Sequence, residues 1–374
     1  MFSCVSELLL EWQPREPVYC LSPKRYAEAA ASFLEGFPGR VLYAVKANDD
    51  PGVLTALHQA GIRHFDCASL PEIHSVKALD PDAACYFMTP LRLRGAARSA
   101  AEDFGVRHFL VDDPSGLEQL CGEIDPRGKV IFARMAVKHP DALMNFAHKF
   151  GADPKDVPAL MSSIRRQGAE PALAFNVGST VVSPRAYSEA LLCAGEVLAQ
   201  LEAPVRLLDI GGGFPLSYPE FDVPPHEDYF SAIGLVARSL PLAVDAQLLA
   251  EPGRALAAPG LSAIVEVLLR KDQRLYLNDG MYGIFWELRF EAHRKYRVDV
   301  YRDGQKFVSA PAEFSLFGPT CDGSDAMPGT LELPSDIRAG DYLHVHEIGA
   351  YSLTGRTRFN GHYSDRIVTL SGSG

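Results

Sequence analysis

The sequence lacks the features that define several other classes of protein. Its seven cysteines are odd in number and form no CxxC pair, which argues against a disulfide framework or a zinc ribbon and favours a reducing compartment. No apolar run approaches the roughly 18 residues of a membrane span, and the N-terminus has no basic leader. A net charge of −11 gives no basic excess for nucleic acid. We expect a soluble, cytoplasmic protein that binds neither nucleic acid nor membrane.

The pattern of apolar residues predicts the fold of the first part of the chain. The length of 374 residues corresponds to about two domains. From residue 18 to 255, apolar runs alternate with segments of helical period, and the runs are VLYAVKA, HFDCAS, CYFMTP, HFLVDD, KVIFARM, ALAFNVGS, VRLLDIGGG and QLLAEPGR. Regular alternation of strand and helix implies parallel strands, and this number of units predicts a (β/α)8 barrel of the α/β class.

The second part of the chain has a different pattern. After residue 258, apolar residues recur at every second position, as in KYRVDVYRDGQKFVSA, where Asp303 and Gly304 offer a tight hairpin turn. We therefore predict a barrel over residues 16–256 and an antiparallel β domain over residues 257–374.

Polar residues at the ends of the predicted strands are the first candidates for chemistry, because (β/α)8 barrels carry their active sites at the carboxyl ends of the strands. Lys46, Asp66 and Asn176 lie at three of these ends. A lysine at the end of an apolar strand loses hydration, which lowers its pKa toward that of an amine able to form an imine with a carbonyl group. A structural lysine paired with a carboxylate is the alternative.

Two further segments lie at strand ends. LDIGGGFP places Gly211–Gly213 where backbone N–H groups can approach an anion, although it lacks the dinucleotide spacing and could be only a tight turn. EPGR places Glu251 and Arg254 at the last strand, either as an ion pair or as separate partners of a protonated ring nitrogen and a phosphate. A lysine, a phosphate cradle and an acidic partner for a pyridinium are together what pyridoxal phosphate requires.

Eight segments in order give the chain a family resemblance. They are YAVKAN, FDCASLPE, FNVGS, DIGGGFP, EPGR, NDGMYGIF, GPTCDGSD and GAYS. In this order they resemble the fold-type III pyridoxal-phosphate decarboxylases, and GPTCDGSD is more similar to the ornithine/lysine branch than to the diaminopimelate branch. The resemblance implies an alanine-racemase-like barrel, and a β domain that residues 1–15 join.

The resemblance also implies roles for individual residues. Lys46 would bind the cofactor covalently, with Asp66 and Glu72 close to it. Glu251 would meet the pyridine nitrogen, with Arg134 behind it. The remaining cofactor-binding residues, most of them at the phosphate, would be Ser179, Gly211, Gly212, Gly213, Gly253, Arg254 and Tyr351.

On the substrate side the resemblance implies a homodimer with shared active sites. Cys321 and Asp322 would enter from the partner subunit, the thiol guiding protonation and the carboxylate meeting the distal amine of the substrate. Glu291 would also approach that amine. Arg289 and Arg294 leave open a substrate with an additional carboxylate, as in siderophore-pathway members of the family.

Two details depart from a simple assignment. Where the family usually has a histidine stacked on the pyridine face, this chain has Asn176. His344 and His346 lie at two-residue spacing on one strand face, but no third ligand is evident in the sequence, so we predict no metal.

The predicted function is pyridoxal-phosphate-dependent decarboxylation of a basic or diamino L-amino acid. The alternatives are a carboxylate-bearing natural-product intermediate as substrate, an amino-acid racemase, and a catalytically weak regulatory homologue.

Overall fold

The structure, a computed structural model, describes residues 1–219, 221–292 and 294–372. The chain forms two compact units. The first, here called the barrel unit, comprises Ala30–Leu216 and Val223–Gly253. The second, here called the β unit, comprises Met1–Ala29, Ser217–Asp222 and Arg254–Gly374.

The strands follow one another along the whole chain. In chain order they are β1 (Val18–Leu21), β2 (Arg40–Ala44), β3 (His64–Cys67), β4 (Ala84–Phe87), β5 (His108–Val111), β6 (Val130–Met135), β7 (Ala142–Met144), β8 (Glu170–Phe175), β9 (Ser179–Val181), β10 (Leu207–Asp209), β11 (Gln247–Ala250), β12 (Leu261–Lys271), β13 (Arg274–Leu277), β14 (Val298–Arg302), β15 (Gln305–Phe307), β16 (Pro311–Phe317), β17 (Leu331–Pro334), β18 (Tyr342–Val345) and β19 (Ile367–Thr369).

The helices are concentrated in the first two thirds of the chain. The α-helices are α1 (Val5–Trp12), α2 (Pro23–Gly36), α3 (Pro51–Gln59), α4 (Leu70–Leu79), α5 (Ala96–Glu102), α6 (Pro114–Glu123), α7 (Val157–Arg166), α8 (Arg185–Leu198), α9 (His226–Ala237), α10 (Arg254–Ala257) and α11 (Ser352–Gly355). Short 3₁₀ helices span Val45–Ala47, Trp286–Arg289 and Phe359–Gly361. Among the described residues, no helix is both long and apolar enough to cross a membrane.

The barrel unit confirms the predicted (β/α)8 fold. Its strands close in the order β10-β11-β2-β3-β4-β5-β6-β8, and every neighbouring pair is parallel. Buried side chains that include Leu42, Tyr86, Phe132 and Leu249 form a hydrophobic cluster. Several helices begin at a capping side chain followed by proline, because the side chain accepts a backbone N–H and proline needs none there. Ser69, for example, accepts the N–H of Glu72 at the start of α4. Because every neighbouring pair of barrel strands is parallel, all of these strands end at the same rim of the barrel.

The β unit contains a nine-stranded sheet in the order β15-β14-β18-β12-β13-β16-β17, with β1 paired to β12 and β19. The prediction of an antiparallel domain is correct for most pairs, but β1 with β19 and β13 with β16 are parallel. A two-residue alternation reveals that a segment is a strand and not its direction, which the connections decide. The predicted hairpin joins β14 and β15, and Asp303 (φ 50°) and Gly304 (φ 73°) both take the left-handed conformation that its turn requires.

The N-terminal residues belong to the β unit. Val5, Leu8 and Leu9 of α1 pack in a cluster with Ile264 and Leu370. The structure also places residues 16–29 in this unit, whereas the sequence analysis assigned them to the barrel. The reason is that β1 pairs with β12 and β19, and such pairing follows from long-range contacts that the local pattern does not carry.

Candidate active site

Lys46 and Asp66 lie together at the rim of the barrel unit. Lys46 is in the 3₁₀ turn that follows β2, and Asp66 is in the neighbouring strand β3. The Lys46 Nζ atom is 3.6 Å from Asp66 Oδ2, with 48% of the lysine side chain exposed and only 4% of the aspartate. Burial raises the pKa of Asp66, and the charges of Lys46 and Arg134 oppose this rise. Lys46 is thus paired with a carboxylate, as in the structural alternative that the sequence left open. Its side chain nevertheless remains accessible.

Two further carboxylates are buried in the same unit. Asp209 ends β10 and accepts the Gly211 N–H at 2.8 Å, and Glu251 follows β11 directly. Burial raises the pKa of Asp209 to about 7. Burial also raises the pKa of Glu251 well above its usual range, and the charges of Asp209 and Asp66 add to this effect. Three buried carboxylates near few positive charges favour an added cation, and the protonated nitrogen of a pyridine ring would provide one.

The glycine segment after β10 is closely packed on the backbone of the barrel unit. A Cβ atom on Gly212 would lie 2.5 Å from the Glu251 carbonyl oxygen, and one on Gly213 would lie 2.5 Å from the Gly178 carbonyl oxygen. Gly213 also has φ 100°, a conformation that side chains rarely adopt. The segment therefore brings DIGGGFP, FNVGS and EPGR together. Ser179, which begins β9, directly follows Gly178, on whose carbonyl oxygen Gly213 packs.

Asn176 has a local partner. It follows β8, and its Oδ1 atom accepts the Gly178 N–H at 2.9 Å. The Asn176 amide therefore fixes the turn that leads to Ser179. This structural role was not predicted from the sequence. Asparagine is favoured in such turns because its short side chain reaches the backbone two residues further on.

Glu72 and Arg134 lie near this group. The Glu72 carboxylate accepts the Ala68 N–H at 2.6 Å, and burial raises the pKa of Glu72 to about 7. Arg134 is in β6, and its guanidinium lies 5.5 Å from the ring of Phe150. Its positive charge opposes the rise in the pKa of both Asp66 and Glu251 that burial causes. The structure thus brings Lys46, Asp66, Glu72, Arg134 and Glu251 close enough for their charges to interact.

Asp209 should make the stability of the cofactor-free protein depend on pH. Its pKa of about 7 in the folded state exceeds the ordinary value of 3.8, so the folded protein holds a proton that the unfolded chain releases as pH rises. The contribution of Asp209 to stability therefore falls between about pH 4 and about pH 7. We expect Asp209→Asn, which keeps the acceptor for Gly211, to gain thermal stability relative to wild type as pH rises through this range. Melting midpoints test this, and an equal difference at all pH values would contradict it.

In the β unit, Arg254 belongs to a group of four charged side chains that pair with one another. Its Nη1 atom donates to Glu287 Oε2 at 2.8 Å and its Nη2 atom donates to Glu291 Oε1 at 3.1 Å. Arg294 Nη1 donates to Glu287 Oε2 at 2.7 Å, and Arg294 is also paired with Glu291. Burial lowers the pKa of Arg254, but the Glu287 carboxylate outweighs this and raises it overall. We call Arg254, Glu287, Glu291 and Arg294 the buried quartet.

The buried quartet contains two residues that the sequence predicts near the substrate, Glu291 and Arg294. Glu291 is 1% exposed and Arg294 is 4% exposed, so neither presents a charge at the surface of the β unit. Glu291 is paired with Arg254 and Arg294, so its role as a partner of the substrate amine stays a prediction, and Arg294 is likewise engaged with carboxylates. The sequence did show three of these charges close together, but only the fold shows that they neutralise one another. Gly253 immediately precedes α10, and Tyr351 places its ring 5.3 Å from the Arg254 guanidinium.

Asp322 and Cys321 lie in a second cluster of the β unit. The Tyr282 hydroxyl donates to Asp322, and the Tyr282 ring stacks on Phe359 at 4.5 Å between centroids. The Cys321 N–H donates to Asn360 Oδ1 at 3.1 Å, and the Cys321 side chain is exposed. The structure thus brings NDGMYGIF and GPTCDGSD together. Phe359 and Asn360 could not be selected from the sequence, since neither lies in a motif.

Asp325 holds these two segments in place. It is 3% exposed, and its carboxylate accepts the Met281 N–H at 2.7 Å and the Thr320 N–H at 3.1 Å. A buried carboxylate with several N–H partners fixes backbone geometry strongly. The exposed thiol of Cys321 is therefore carried on an anchored loop.

The two histidines of β18 have an acidic neighbour. Asp299, His344 and His346 offer ligand atoms within 4.8 Å of one another, so a third potential ligand exists that the sequence did not reveal. The group is already hydrogen-bonded, because His346 contacts Asp299 at 3.0 Å and Arg297 at 3.0 Å, and Lys306 contacts Asp299 at 2.7 Å. Cations beside these ligands disfavour a metal ion.

A closed parallel barrel with an accessible lysine and buried carboxylates at its rim defines a cofactor-dependent (β/α)8-barrel enzyme. Residues 24–258 match the family described as pyridoxal-dependent decarboxylase, pyridoxal binding domain. The chain therefore belongs to the pyridoxal-dependent decarboxylase family.

Individual proteins show the same similarity. The lysine/ornithine decarboxylase of Selenomonas ruminantium is 31% identical over 333 residues, which cover 86% of this chain and 81% of that protein. The structure of the lysine decarboxylase from Selenomonas ruminantium with PLP and cadaverine has 27% identity and a TM-score of 0.85 over 97% of this chain and 92% of that one. The arginine decarboxylase of Paramecium bursaria Chlorella virus has 25% identity and a TM-score of 0.88 over 99% and 100%.

Proposed function

We propose that this protein decarboxylates a basic or diamino L-amino acid of the lysine or ornithine type, using pyridoxal phosphate, and releases the corresponding amine. The observation that carries the proposal is Lys46, whose accessible amine lies 3.6 Å from the buried Asp66 at the rim of the barrel unit. The lysine and ornithine decarboxylases among its relatives support the substrate class.

The residues of the barrel unit fit this cofactor. Lys46 would hold its carbonyl carbon covalently, Glu251 would hold the proton of the ring nitrogen, and Asn176 would lie against the ring. The phosphate would be bound by Ser179, Gly211, Gly212, Gly213 and Gly253. When bound, pyridoxal phosphate supplies an electron sink for the negative charge that CO2 leaves behind.

The cationic charge of Arg134 would favour the ionised form of the Glu251 carboxylate beside the ring nitrogen. The opposition of the Arg134 charge to the rise in the pKa of Glu251 supports this role. Asp66 would hold the Lys46 ammonium in position, and Glu72 would add a second carboxylate near that amine. These groups would therefore control the proton on Lys46 Nζ.

The proton balance of the reaction needs an acid at the substrate Cα. The bond from Cα to the carboxylate carbon breaks, CO2 leaves, and the electron pair remains at Cα until a proton arrives. We propose that the Cys321 thiol of a second copy of this chain delivers that proton and that its Asp322 meets the distal ammonium of the substrate. The exposure of Cys321 and its anchored loop support this assignment. A homodimer, a cytoplasmic location and a role in polyamine biosynthesis belong to the same proposal.

A panel of substrates tests the proposed function. The purified protein, loaded with pyridoxal phosphate, is incubated with ornithine, lysine, arginine, diaminopimelate and diaminopropionate, and the released CO2 and amine are quantified. We expect CO2 and amine in equal amounts from at least one diamino acid. Loss of chirality without CO2 would indicate a racemase. Cofactor binding with neither reaction would indicate a regulatory homologue, and either result would contradict the proposal.

A further inference from the structure

A groove lies at the end of the barrel unit opposite to Lys46, where the parallel strands begin. Its volume is about 760 Å³, and it is lined by Arg40, which begins β2, and by Gln247, which begins β11. Arg238, the residue that follows α9, lines it as well. We call it the amino-end groove. Active sites of (β/α)8 barrels lie at the carboxyl ends of the strands, so this groove is separate from the candidate active site.

The lining of the amino-end groove is positively charged. Among the described residues it contains two arginines, Arg40 and Arg238, and no aspartate or glutamate. Glu227 lines an adjoining pocket together with Arg238, but within the described part of the chain the two form no salt bridge. Asp245, next to two lining residues in sequence, is 3.5 Å from Arg206 and is thus already paired. The two arginines therefore face the groove without a carboxylate partner.

A buried tyrosine holds the Arg40 side chain in place. The Arg40 Nη1 atom donates to the Tyr86 hydroxyl at 2.9 Å, and Tyr86 is 1% exposed. The ring of His108 stacks on the Tyr86 ring at 4.0 Å between centroids, and the ring of His64 meets it edge-on at 5.9 Å. Contact with two aromatic neighbours fixes the tyrosine, and its hydroxyl in turn orients the guanidinium.

The same two histidines show that the charge of Arg40 is not compensated. Burial lowers the pKa of His64 to about 4, and the charge of Arg40 adds to this effect. Burial also lowers the pKa of His108 to about 4, together with the charges of Arg40, His64 and Arg107. Among the described residues, no carboxylate opposes either shift. The His64 Nδ1 atom is buried without a hydrogen-bond partner. A bound anion would supply the negative charge that this end of the barrel lacks.

We propose that the amino-end groove binds a small phosphate-bearing anion through Arg40 and Arg238. A guanidinium presents a planar fork of donors that fits two oxygens of a phosphate group. Arg40 uses Nη1 on the Tyr86 hydroxyl, and Arg238 uses Nε on the Gly234 carbonyl oxygen at 3.0 Å. Within the residues that the structure describes, their other donors are left for a ligand. The ligand is free phosphate or a phosphate ester that the groove can hold.

Titration calorimetry at constant ionic strength tests this site. The protein is loaded with pyridoxal phosphate and reduced with borohydride, so that the cofactor fills its own phosphate site, and is then titrated with inorganic phosphate or glycerol 3-phosphate. We expect one saturable site for at least one of the two ligands. Arg40→Gln and Arg238→Gln should each weaken binding by roughly tenfold to a hundredfold, the range for a hydrogen bond to a charged group. Tighter binding of glycerol 3-phosphate would identify an ester as the ligand, and tighter binding of phosphate would identify the free ion.

Arg185→Gln is the matched control, since Arg185 is also an exposed arginine of the barrel unit, pairs with Glu189 and does not line the groove. It should leave the affinity unchanged. Tyr86→Phe, which keeps the ring contacts and removes the hydroxyl, should weaken binding less than Arg40→Gln does. Melting midpoints show which variants fold, and the exposed Arg238 decides the matter if Arg40→Gln does not. Absence of saturable binding, or equal affinity in wild type and Arg238→Gln, overturns the inference and leaves the proposed function standing.

Discussion

Lys46→Ala should abolish decarboxylation and the covalent attachment of pyridoxal phosphate. The variant loses the amine that holds the cofactor carbon and that moves protons at Nζ, so we expect kcat to fall by roughly a thousandfold or more. The wild-type protein should be yellow, and borohydride should fix the cofactor to the peptide that contains Lys46. Absorbance spectra and peptide mass mapping measure both properties, independently of turnover.

Lys155→Ala provides the control for this experiment. Lys155 is also a lysine of the barrel unit, but it is 74% exposed and pairs with Asp153. Its substitution should leave colour and activity unchanged. If the Lys46→Ala protein still carries a reducible chromophore on the same peptide, then another group holds the cofactor and the assignment of Lys46 is wrong.

Mixing two inactive variants should restore about a quarter of wild-type activity. Neither Lys46→Ala nor Cys321→Ala should be active alone, because one lacks the cofactor lysine and the other lacks the proton donor. In a mixed dimer with reciprocal sharing, one site receives both defects and the other site is intact. Random exchange makes about half of the dimers mixed, and each has one intact site of two, which gives the expected quarter.

Subunit exchange must be measured separately for this result to have meaning. Native mass spectrometry of variants with distinguishable masses gives the fraction of mixed dimers. The control is a matched mixture of Cys321→Ala with Cys4→Ala, a variant that alters another exposed cysteine. It shows how activity changes when wild-type-like chains are diluted by an inactive variant. If the dimers exchange and no activity returns in the first mixture, the proposal that Cys321 acts across a dimer is contradicted.

The barrel could be predicted because each of its strands has a recognisable pattern within its own stretch of sequence. Each strand is an apolar run followed by a polar residue, so Lys46, Asp66 and Glu251 could be placed at one rim without knowledge of the fold. The direction of the strands in the β unit depends instead on which distant segments pair. The local pattern could not reveal that β13 and β16 are parallel.

The charges of the β unit could be predicted only in part. Glu291 follows the NDGMYGIF segment, and sequence alone does not distinguish a carboxylate that faces a substrate from one that is neutralised by Arg254 and Arg294. Burial of an ion pair depends on contacts between segments, and the exposure of 1% for Glu291 is visible only in the structure. The departure of Asn176 from the family pattern could be read from the sequence, but its hydrogen bond with the Gly178 N–H is visible only in the structure.

The buried quartet also restricts how this protein can change in evolution. Removing one member of a buried ion-pair network leaves a charge without compensation, at a cost of about 3–5 kcal/mol, whereas replacing a whole network by apolar residues can be nearly neutral. A lineage that loses Glu287 alone would therefore pass through an unstable intermediate. Arg254, Glu287, Glu291 and Arg294 should consequently covary among close homologues, and a library that varies them one at a time would miss most of the stable combinations.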